Sequence, residues 1–230
     1  MGSVSRKPRA VLWDMDGTLV DTEPYWMAAE TSLVESFGGT WTHEDALQLV
    51  GSGLIDSAII LQNAGVAMEP EAIVSHLTDV VQEALRTQGV PFRPGARELL
   101  AALREAEIPT GLVTMSLRRM ALNVVDLIDF EAFDIVVAGD DVDNPKPHPE
   151  PYLQAAALLD VDIADVVVIE DSPTGVRAGL ASGALTIGVP HIVSLEGLGA
   201  HELWPTLAGR GVSDLADLFD TEDAVTEAIR

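Results

Sequence analysis

The chain has 230 residues, 47% of them apolar, which is enough to bury a sizeable core in one domain or one domain with an insert. Its formal net charge is −24, from 37 acidic and 13 basic residues, and this disfavours nucleic acid and anionic membrane surfaces as partners. The absence of cysteine excludes disulfides, thiolate metal sites and a cysteine nucleophile. No apolar run has the length of a membrane span and the start lacks a signal-peptide pattern, so we expect a cytoplasmic protein.

The first predicted element is a short buried strand, Ala10–Trp13, followed by an acidic turn of sequence DMDGTLVD. Asp14 and Asp16 stand where the strand ends, and Gly17 allows the chain to turn sharply. An Asp-Gly pair between apolar residues is also typical of a β-hairpin, so the turn alone leaves both interpretations open. The choice depends on whether groups of matching chemistry follow the later strands.

After this turn the pattern predicts four helices with no strand between them. Thr22 is a candidate N-cap for the first helix, and Thr42 with Asp45 resembles a capping box at the start of the second. Such a run of helices directly after one strand indicates a helical insert. We assign it to residues 22–92, called the cap segment below.

From Pro94 onward, predicted strands and helices alternate. The predicted strands cover residues 108–115, 133–138, 166–169 and 185–189. This alternation predicts an α/β fold, a doubly wound parallel sheet covered by helices on both faces, into which the four-helix cap segment is inserted. The catalytic core would then comprise residues 1–21 and 93–230, with a last helix over residues 221–230.

Polar groups follow the ends of the predicted strands, where ligands bind in a doubly wound sheet. In chain order these groups are Asp14, Asp16, Thr114, Met115, Lys146, Glu170 and Asp171. They offer carboxylates for a hard cation, a hydroxyl and backbone amides for an anion, and one fixed positive charge. The set suits phosphoryl transfer, in which the protein mainly positions groups and neutralises charge.

Each of these groups also has a purely structural interpretation. Taken alone, Thr114 is more often an ordinary strand-end residue, and Lys146 between prolines could be a solvated side chain. Ser172 and Pro173 are typical of a helix start, but a cap does not explain two consecutive acids that close an apolar strand.

The acidic loop 140–144 lacks the glycine and the spaced glutamate of an EF-hand, so we interpret it as solvated. The five histidines share no metal-ligand spacing, and we assign them no role.

Taken in this order, the DMDGTLVD turn, Thr114, Lys146 and the Glu170–Asp171 pair resemble the four motifs of the haloacid dehalogenase superfamily of phosphohydrolases. The resemblance covers nearly the whole chain. The insert after the first motif is similar to the alpha-helical cap of the subgroup that contains beta-phosphoglucomutase and phosphoglycolate phosphatase. What the resemblance implies for the fold is a parallel sheet with the first strand central.

The resemblance also implies roles for the acidic residues. Asp14 would be the nucleophile that becomes an aspartyl phosphate, and Asp16 would be the general acid for the leaving alkoxide and then the base for water. The Asp14 carboxylate, the Asp16 backbone carbonyl and Asp171 would hold Mg²⁺. Glu170 would act through water or as an orienting group.

The remaining motif residues would, by the same resemblance, bind the phosphoryl group. Thr114 and the amide of Met115 would bind its oxygens, and Lys146 would offset the charge of both nucleophile and phosphate. The expected partner is a small-molecule phosphomonoester, with no nucleic acid and no membrane. For the oligomeric state, a monomer is the default.

Four functions compete on this scaffold, and we favour a phosphatase. Beta-phosphoglucomutases carry a histidine after the first motif and a basic residue in the second cap helix, where this chain has Trp26 and Leu54, and the cap segment has no lysine. A dehalogenase would lack the second aspartate, Asp16. A receiver-type phosphoacceptor signalling module carries its phosphorylated aspartate after the third strand and has no helical insert.

The charge of the cap segment indicates the kind of substrate. It contains ten acidic residues against one basic residue, Arg86. A second phosphate or carboxylate on the substrate would need a cationic clamp, which only Arg93, Arg118 or Arg119 of the core could provide. We therefore expect a monophosphate with a neutral, hydroxylated body, such as a sugar or polyol phosphate.

Overall fold

The computed structural model describes residues 7–50 and 52–219 of the chain. The strands of this part are β1 (Ala10–Trp13), β2 (Thr110–Val113), β3 (Ile135–Val137), β4 (Val166–Glu170), β5 (Leu185–Gly188) and β6 (Glu202–Leu203). The α-helices are α1 (Glu23–Ser36), α2 (His43–Leu47), α3 (Leu54–Asn63), α4 (Pro70–Gln88), α5 (Ala96–Glu105), α6 (Arg118–Asp126), α7 (Glu150–Leu158) and α8 (Pro173–Ser182). Residues 212–219 are also helical.

The strands form one sheet in the order β3-β2-β1-β4-β5-β6, in which every neighbouring pair is parallel. Strands β1 and β4 are uninterrupted runs of buried residues, as expected where helices cover both faces of a parallel sheet. Along β1, Val11 and Trp13 pack into one apolar cluster and Ala10 and Leu12 into another, because successive side chains point to opposite faces. The predicted fold class is confirmed.

The register of the central strands decides which residues meet at the edge of the sheet. Trp13 of β1 is level with Leu112 of β2 and with Ile169 of β4. The next residue along each strand therefore leaves the sheet at the same edge, which brings Asp14 beside Glu170. Because all strands are parallel, the loops that follow them gather at this one edge.

Helices α1 to α4 lie between β1 and β2 in the chain, where the cap segment was predicted. Helix α1 packs against α2 and α4, and α3 packs against α4. The connections to the core run side by side. Val20 pairs with Phe92 in an antiparallel bridge, the Asp21 amide donates to Pro91 O at 2.7 Å, and the Arg93 amide donates to Leu19 O at 3.0 Å. The division into a core and a cap domain stays a prediction.

A second connection joins the cap segment to the core away from these linkers. Arg119 of α6 donates to Asp79 Oδ1 at 2.5 Å, to Gln82 Oε1 at 2.7 Å and to the Ser75 carbonyl at 2.9 Å, all on α4. Gln82 Nε2 donates back to the Arg119 carbonyl at 2.9 Å. Helix α4 is therefore fixed to α6 by a planar guanidinium rather than by a single ion pair.

The capping predictions have different outcomes. Thr42 and Asp45 form the expected capping box at the start of α2, and the Ser172 hydroxyl accepts from the Gly175 amide at the start of α8. The prediction for Thr22 is wrong: its side chain makes no cap hydrogen bond, because its backbone is helical rather than extended as in an N-cap. Its hydroxyl donates to Asp16.

The chain after Gly188 differs from what the sequence predicts. The short edge strand β6 was not predicted, since both of its residues are exposed and carry no apolar pattern. The predicted helix over residues 221–230 lies outside the described residues. Within the ranges that the structure describes, no helix combines the length and the apolar character needed to cross a membrane.

Candidate functional site

A buried lysine ties together the ends of three strands. Lys146 Nζ donates to Asp14 Oδ1 at 2.7 Å, to Glu170 Oε1 at 2.6 Å and to the Val113 carbonyl at 2.9 Å. Its side chain is only 3% exposed. All three Nζ protons are thus used, and Tyr152 Oη also donates to Glu170 Oε1, at 2.5 Å. The solvated interpretation of Lys146 does not hold.

Asp171 lies against the acidic turn that follows β1. The Thr18 hydroxyl donates to Asp171 Oδ1 at 3.0 Å. Gly17 has φ +88°, and a Cβ on it would stand 2.1 Å from Asp171 Oδ2. Any other residue at position 17 would therefore be strained and would displace this carboxylate, which explains why a glycine is needed here.

Asp16 receives hydrogen bonds from both the core and the cap segment. From the loop after β2, the Ser116 hydroxyl donates to Oδ2 at 2.7 Å. From the first turn of α1, the Thr22 hydroxyl and, at 3.4 Å, Trp26 Nε1 donate to Oδ1. The carboxylate is therefore oriented by three donors on two separate segments.

The loop Thr114–Ser116 lies on the other side of Asp14. The Thr114 hydroxyl accepts from the Ser116 amide at 3.0 Å, so its own proton is available to another acceptor. The Met115 sulfur accepts from the Lys146 amide at 3.3 Å, which holds the lysine loop against this one. Thr114 is 1% exposed, so its hydroxyl is shielded from solvent.

The electrostatics of the site are dominated by negative charge. Burial and then the charge of Glu170 raise the pKa of Asp14 to about 7, although Lys146 opposes this. Burial and the charges of Asp14 and Glu170 also raise the pKa of Asp171 above its ordinary range. Burial lowers the pKa of Lys146, but the charges of Asp14 and Glu170 outweigh this and hold it above its usual range. One fixed cation thus faces three carboxylates.

These carboxylates fit a divalent metal ion. Oxygen atoms of Asp14, Glu170 and Asp171 all lie within 4.8 Å of one another, and the three residues are buried. An all-oxygen donor set of this kind suits a hard cation such as Mg²⁺. Such an ion would offset the charge that Lys146 alone does not compensate.

All the residues predicted for the site lie at this edge of the sheet, Glu170 at the end of β4 and the others in the loops. Sequence reasoning missed residues that position them, namely Thr18, Thr22, Trp26 and Tyr152. It placed Ser116 at the end of the second strand, but not its contact with Asp16. Thr18 and Thr22 lie within or directly after the recognised turn and Ser116 directly after Met115, so proximity to a motif was the available signal. Nothing in the sequence distinguishes Tyr152 from a core aromatic residue of α7.

Two side predictions gain detail. The acidic loop is solvated as predicted, with Asp140, Asp143 and Asn144 exposed, and Arg118 contacts it at the surface through its amide to Asp140 Oδ1 at 2.7 Å and through Nη1 to Asp141 Oδ2 at 2.5 Å. His191 has a structural partner on each side: Nε2 contacts Asp21 Oδ1 at 2.9 Å, and Nδ1 contacts Arg93. It therefore joins the two linkers of the cap segment.

The comparisons with known proteins agree with this geometry. The family model of haloacid dehalogenase-like hydrolases matches residues 11–189. The chain is 35% identical over 187 residues to the phosphorylated carbohydrates phosphatase of Thermotoga maritima, covering 79% of this chain and 85% of that protein. It is 31% identical over 196 residues to hexitol phosphatase B of Escherichia coli, covering 82% of this chain and 86% of the relative.

Solved structures give the same result. The fold matches that of CbbY from Rhodobacter sphaeroides in complex with phosphate, with a TM-score of 0.81 and 27% sequence identity. The match covers 90% of this chain and 99% of that one. With a family model that spans most of the chain, and with relatives above 30% identity over most of their length, the chain belongs to the haloacid dehalogenase-like hydrolases.

Proposed function

We propose that this chain is a Mg²⁺-dependent phosphatase that transfers the phosphoryl group of a small sugar or polyol monophosphate to Asp14 and then to water. The observation that carries the proposal is the buried Lys146, whose Nζ binds Asp14 at 2.7 Å and Glu170 at 2.6 Å. A cation in this position stabilises both an ionised nucleophile and the phosphoryl oxygens brought against it. The chain is a phosphoric monoester hydrolase whose relatives include a phosphorylated carbohydrates phosphatase.

The reaction has two steps. A carboxylate oxygen of Asp14 attacks phosphorus, the bond from phosphorus to the ester oxygen breaks, and Asp16 gives its proton to the leaving alkoxide. Asp16 then takes a proton from water, whose oxygen attacks the phosphorus of the aspartyl phosphate and releases inorganic phosphate and Asp14. The covalent intermediate divides one difficult displacement into two easier ones. Acid–base catalysis of this kind contributes about 10²–10⁴-fold.

The remaining residues would bind the metal ion and the phosphoryl group and neutralise their charge. The carboxylates of Asp14 and Asp171 and the backbone carbonyl of Asp16 would hold Mg²⁺, which when bound withdraws charge from the phosphoryl oxygens. Glu170 orients Lys146, because its Oε1 already accepts from that lysine and from a tyrosine. The proton of the Thr114 hydroxyl and the amide of the residue after it would donate to the phosphoryl oxygens.

The contacts of the basic residues support a substrate with one anionic group. The three arginines that could reach a second anion from the core already have protein partners. Arg93 contacts His191 and donates to the Pro190 carbonyl, while Arg118 and Arg119 bind side chains of the acidic loop and of α4. The one basic residue of the cap segment, Arg86, is paired with Glu83 at 2.5 Å.

A phosphosugar mutase is the alternative activity on the same scaffold. In place of the histidine of beta-phosphoglucomutases, this chain has Trp26, whose Nε1 donates to Asp16 Oδ1 and which offers no acceptor. A mutase must also rebind and reorient a doubly phosphorylated intermediate, for which the cap segment lacks cations. Both observations support a phosphatase over a phosphosugar mutase.

The proposal also covers the partners, the cellular location and the oligomeric state of the enzyme. A net charge of −24 disfavours nucleic acid and anionic lipid, so the partner would be a small phosphomonoester, and we propose the cytoplasm as the location. A monomer stays the default for the oligomeric state.

The test is phosphate release over many turnovers from hexitol and hexose monophosphates, in the wild type and in Asp14→Asn. The variant changes charge and not volume, so we expect an intact fold with turnover reduced at least 10³-fold, on the order of the loss of a covalent nucleophile. Asp126→Asn, on the exposed face of α6, is the matched control and should keep full activity. EDTA should abolish wild-type turnover and Mg²⁺ should restore it.

Two results would contradict the proposal. Substantial turnover by Asp14→Asn would exclude the covalent mechanism. A higher kcat/KM for a hexose bisphosphate or phosphoglycolate than for the hexose monophosphate would exclude the proposed substrate class and favour the mutase.

A further inference from the structure

Glu23 stands at the point where the cap segment meets the catalytic turn. It is the first residue of α1, directly after Thr22, whose hydroxyl donates to Asp16. Trp26, which also donates to Asp16, is three positions further on and hence a neighbour on the same helix face. Glu23 is thus flanked by two residues that contact the proposed general acid.

The pKa of Glu23 also indicates that it lies near Asp16. Burial, followed by the charges of Asp16 and Asp21, raises the pKa of Glu23 to about 7. In turn, Glu23 is one of the groups whose charge raises the pKa of Asp171. Glu23 therefore lies close enough to Asp16 and to Asp171 for its charge to interact with theirs.

Glu23 has no donor of its own, although it is half-buried. Among the described residues, no hydrogen bond or ion pair reaches its carboxylate, whereas the buried Glu30 and Glu170 both accept from protein donors. Removing a carboxylate from water without a donor is unfavourable. A donor that arrives with the substrate would satisfy it.

We infer that Glu23 is a specificity residue, whose carboxylate accepts a hydrogen bond from a substrate hydroxyl near the ester carbon and disfavours a second anion there. The inference rests on the proposed function, since it places the hydroxyl relative to the leaving oxygen that Asp16 protonates. One group then gives both parts of the discrimination, attraction for a polyol and repulsion of an acidic body. Nothing on the cap segment needs to bind the rest of the substrate for this to operate.

The alternative explanation for Glu23 is a favourable charge at the N-terminus of α1. That role would affect stability and would change turnover of all substrates alike. A matched pair of substrates separates the two explanations. Glycerol 3-phosphate and n-propyl phosphate share the ester and the three-carbon chain, and only the first carries hydroxyl groups.

The experiment measures kcat/KM for both substrates in the wild type, in Glu23→Ala and in Glu35→Ala, an exposed glutamate on the same helix. We expect the ratio of glycerol 3-phosphate to n-propyl phosphate to fall about tenfold in Glu23→Ala, as for one lost charge-assisted hydrogen bond, and to be unchanged in Glu35→Ala. In the isosteric Glu23→Gln, kcat/KM for phosphoglycolate relative to n-propyl phosphate should rise about threefold or more, because a like charge is removed.

An unchanged ratio in Glu23→Ala, with both substrates hydrolysed by the wild type, would overturn this inference and leave the phosphatase proposal standing. So would an equal loss of kcat/KM on both substrates, which leaves their ratio unchanged. A wild type that hydrolyses no phosphomonoester at all would instead overturn the proposed function, and the inference with it.

Discussion

Glu30 is a buried acid that lies outside the catalytic edge of the sheet. It is 6% exposed, and its main partner is Trp41, whose Nε1 donates to Oε2 at 3.3 Å. Burial raises the pKa of Glu30 to about 7, which the Trp41 hydrogen bond only partly offsets. A carboxylate held in this way stabilises the folded chain when protonated and destabilises it when ionised.

This predicts a pH dependence of stability with a definite sign. In the unfolded chain Glu30 titrates near its model value of 4.5, and in the folded chain near 7, so stability is lost as pH rises between these values. At about 1.4 kcal/mol per pH unit, the loss is on the order of 3–4 kcal/mol. Glu30→Gln should match the wild type in free energy of unfolding near pH 4.5 and exceed it by that amount at pH 8.

Urea unfolding at the two pH values, with the exposed Glu35→Gln as control, measures this difference directly. The comparison cancels the titration of all other groups that both proteins share. The same difference between Glu30→Gln and wild type at both pH values would mean that folding does not change the pKa of Glu30.

At the scale of elements, the close approach of the catalytic turn to the start of α8 depends on a single missing side chain. Gly17 and Gly38 both have positive φ, +88° and +78°, so alanine at either position costs about 1 kcal/mol of backbone strain. They differ in surroundings: a Cβ at Gly17 would stand 2.1 Å from Asp171, while at Gly38 nothing lies within 4 Å.

We therefore expect Gly17→Ala to lose at least ~10²-fold in kcat, because displacement of a positioned group by about 1 Å has an effect of that size. Gly38→Ala should keep activity close to that of the wild type, although it carries the same kind of strain. The measurement is kcat at saturating Mg²⁺ together with the thermal midpoint of each variant. Equal activity of the two variants would show that Asp171 moves aside without consequence.

At the scale of the whole molecule, the net charge of −24 surrounds a site that must admit a dianion. The field of the protein lowers the local concentration of an anionic substrate, and salt screens that field over a Debye length of about 10 Å at 0.1 M. We predict that kcat/KM rises with NaCl from about 0.01 to about 0.2 M at fixed, saturating Mg²⁺. The rise should be steeper for a bisphosphate than for a monophosphate.

The slope of log kcat/KM against ionic strength measures this effect, and kcat itself should change little. A fall in kcat/KM with salt would mean that the local attraction of Lys146 outweighs the charge of the rest of the chain.

The sequence predicts those parts of the molecule in which local pattern and chemistry coincide. Strand β1 is an unbroken apolar run followed by two acids, and β4 closes with Glu170 and is followed by Asp171, so both the sheet and the edge at which these polar groups gather could be predicted. Contacts distant in the chain could not, since nothing local marks His191 as the partner of Asp21, 170 residues earlier. Thr22 shows a conflict between the two levels: its residue type is typical of an N-cap, but its backbone is helical and its hydroxyl donates to Asp16, a contact that local sequence does not reveal.

The side-by-side linkers have a consequence for how such a protein can be altered. Because Val20 pairs directly with Phe92, the chain leaves the sheet and returns to it at neighbouring points. The intervening residues can be exchanged for a different module, or replaced by a tight hairpin, without changing the distance that the sheet must bridge. The entropy cost of closing this gap rises only slowly with the length of the module. The residues beyond α1 can therefore be exchanged as one unit, provided that Thr22 and Trp26, which donate to Asp16, are kept.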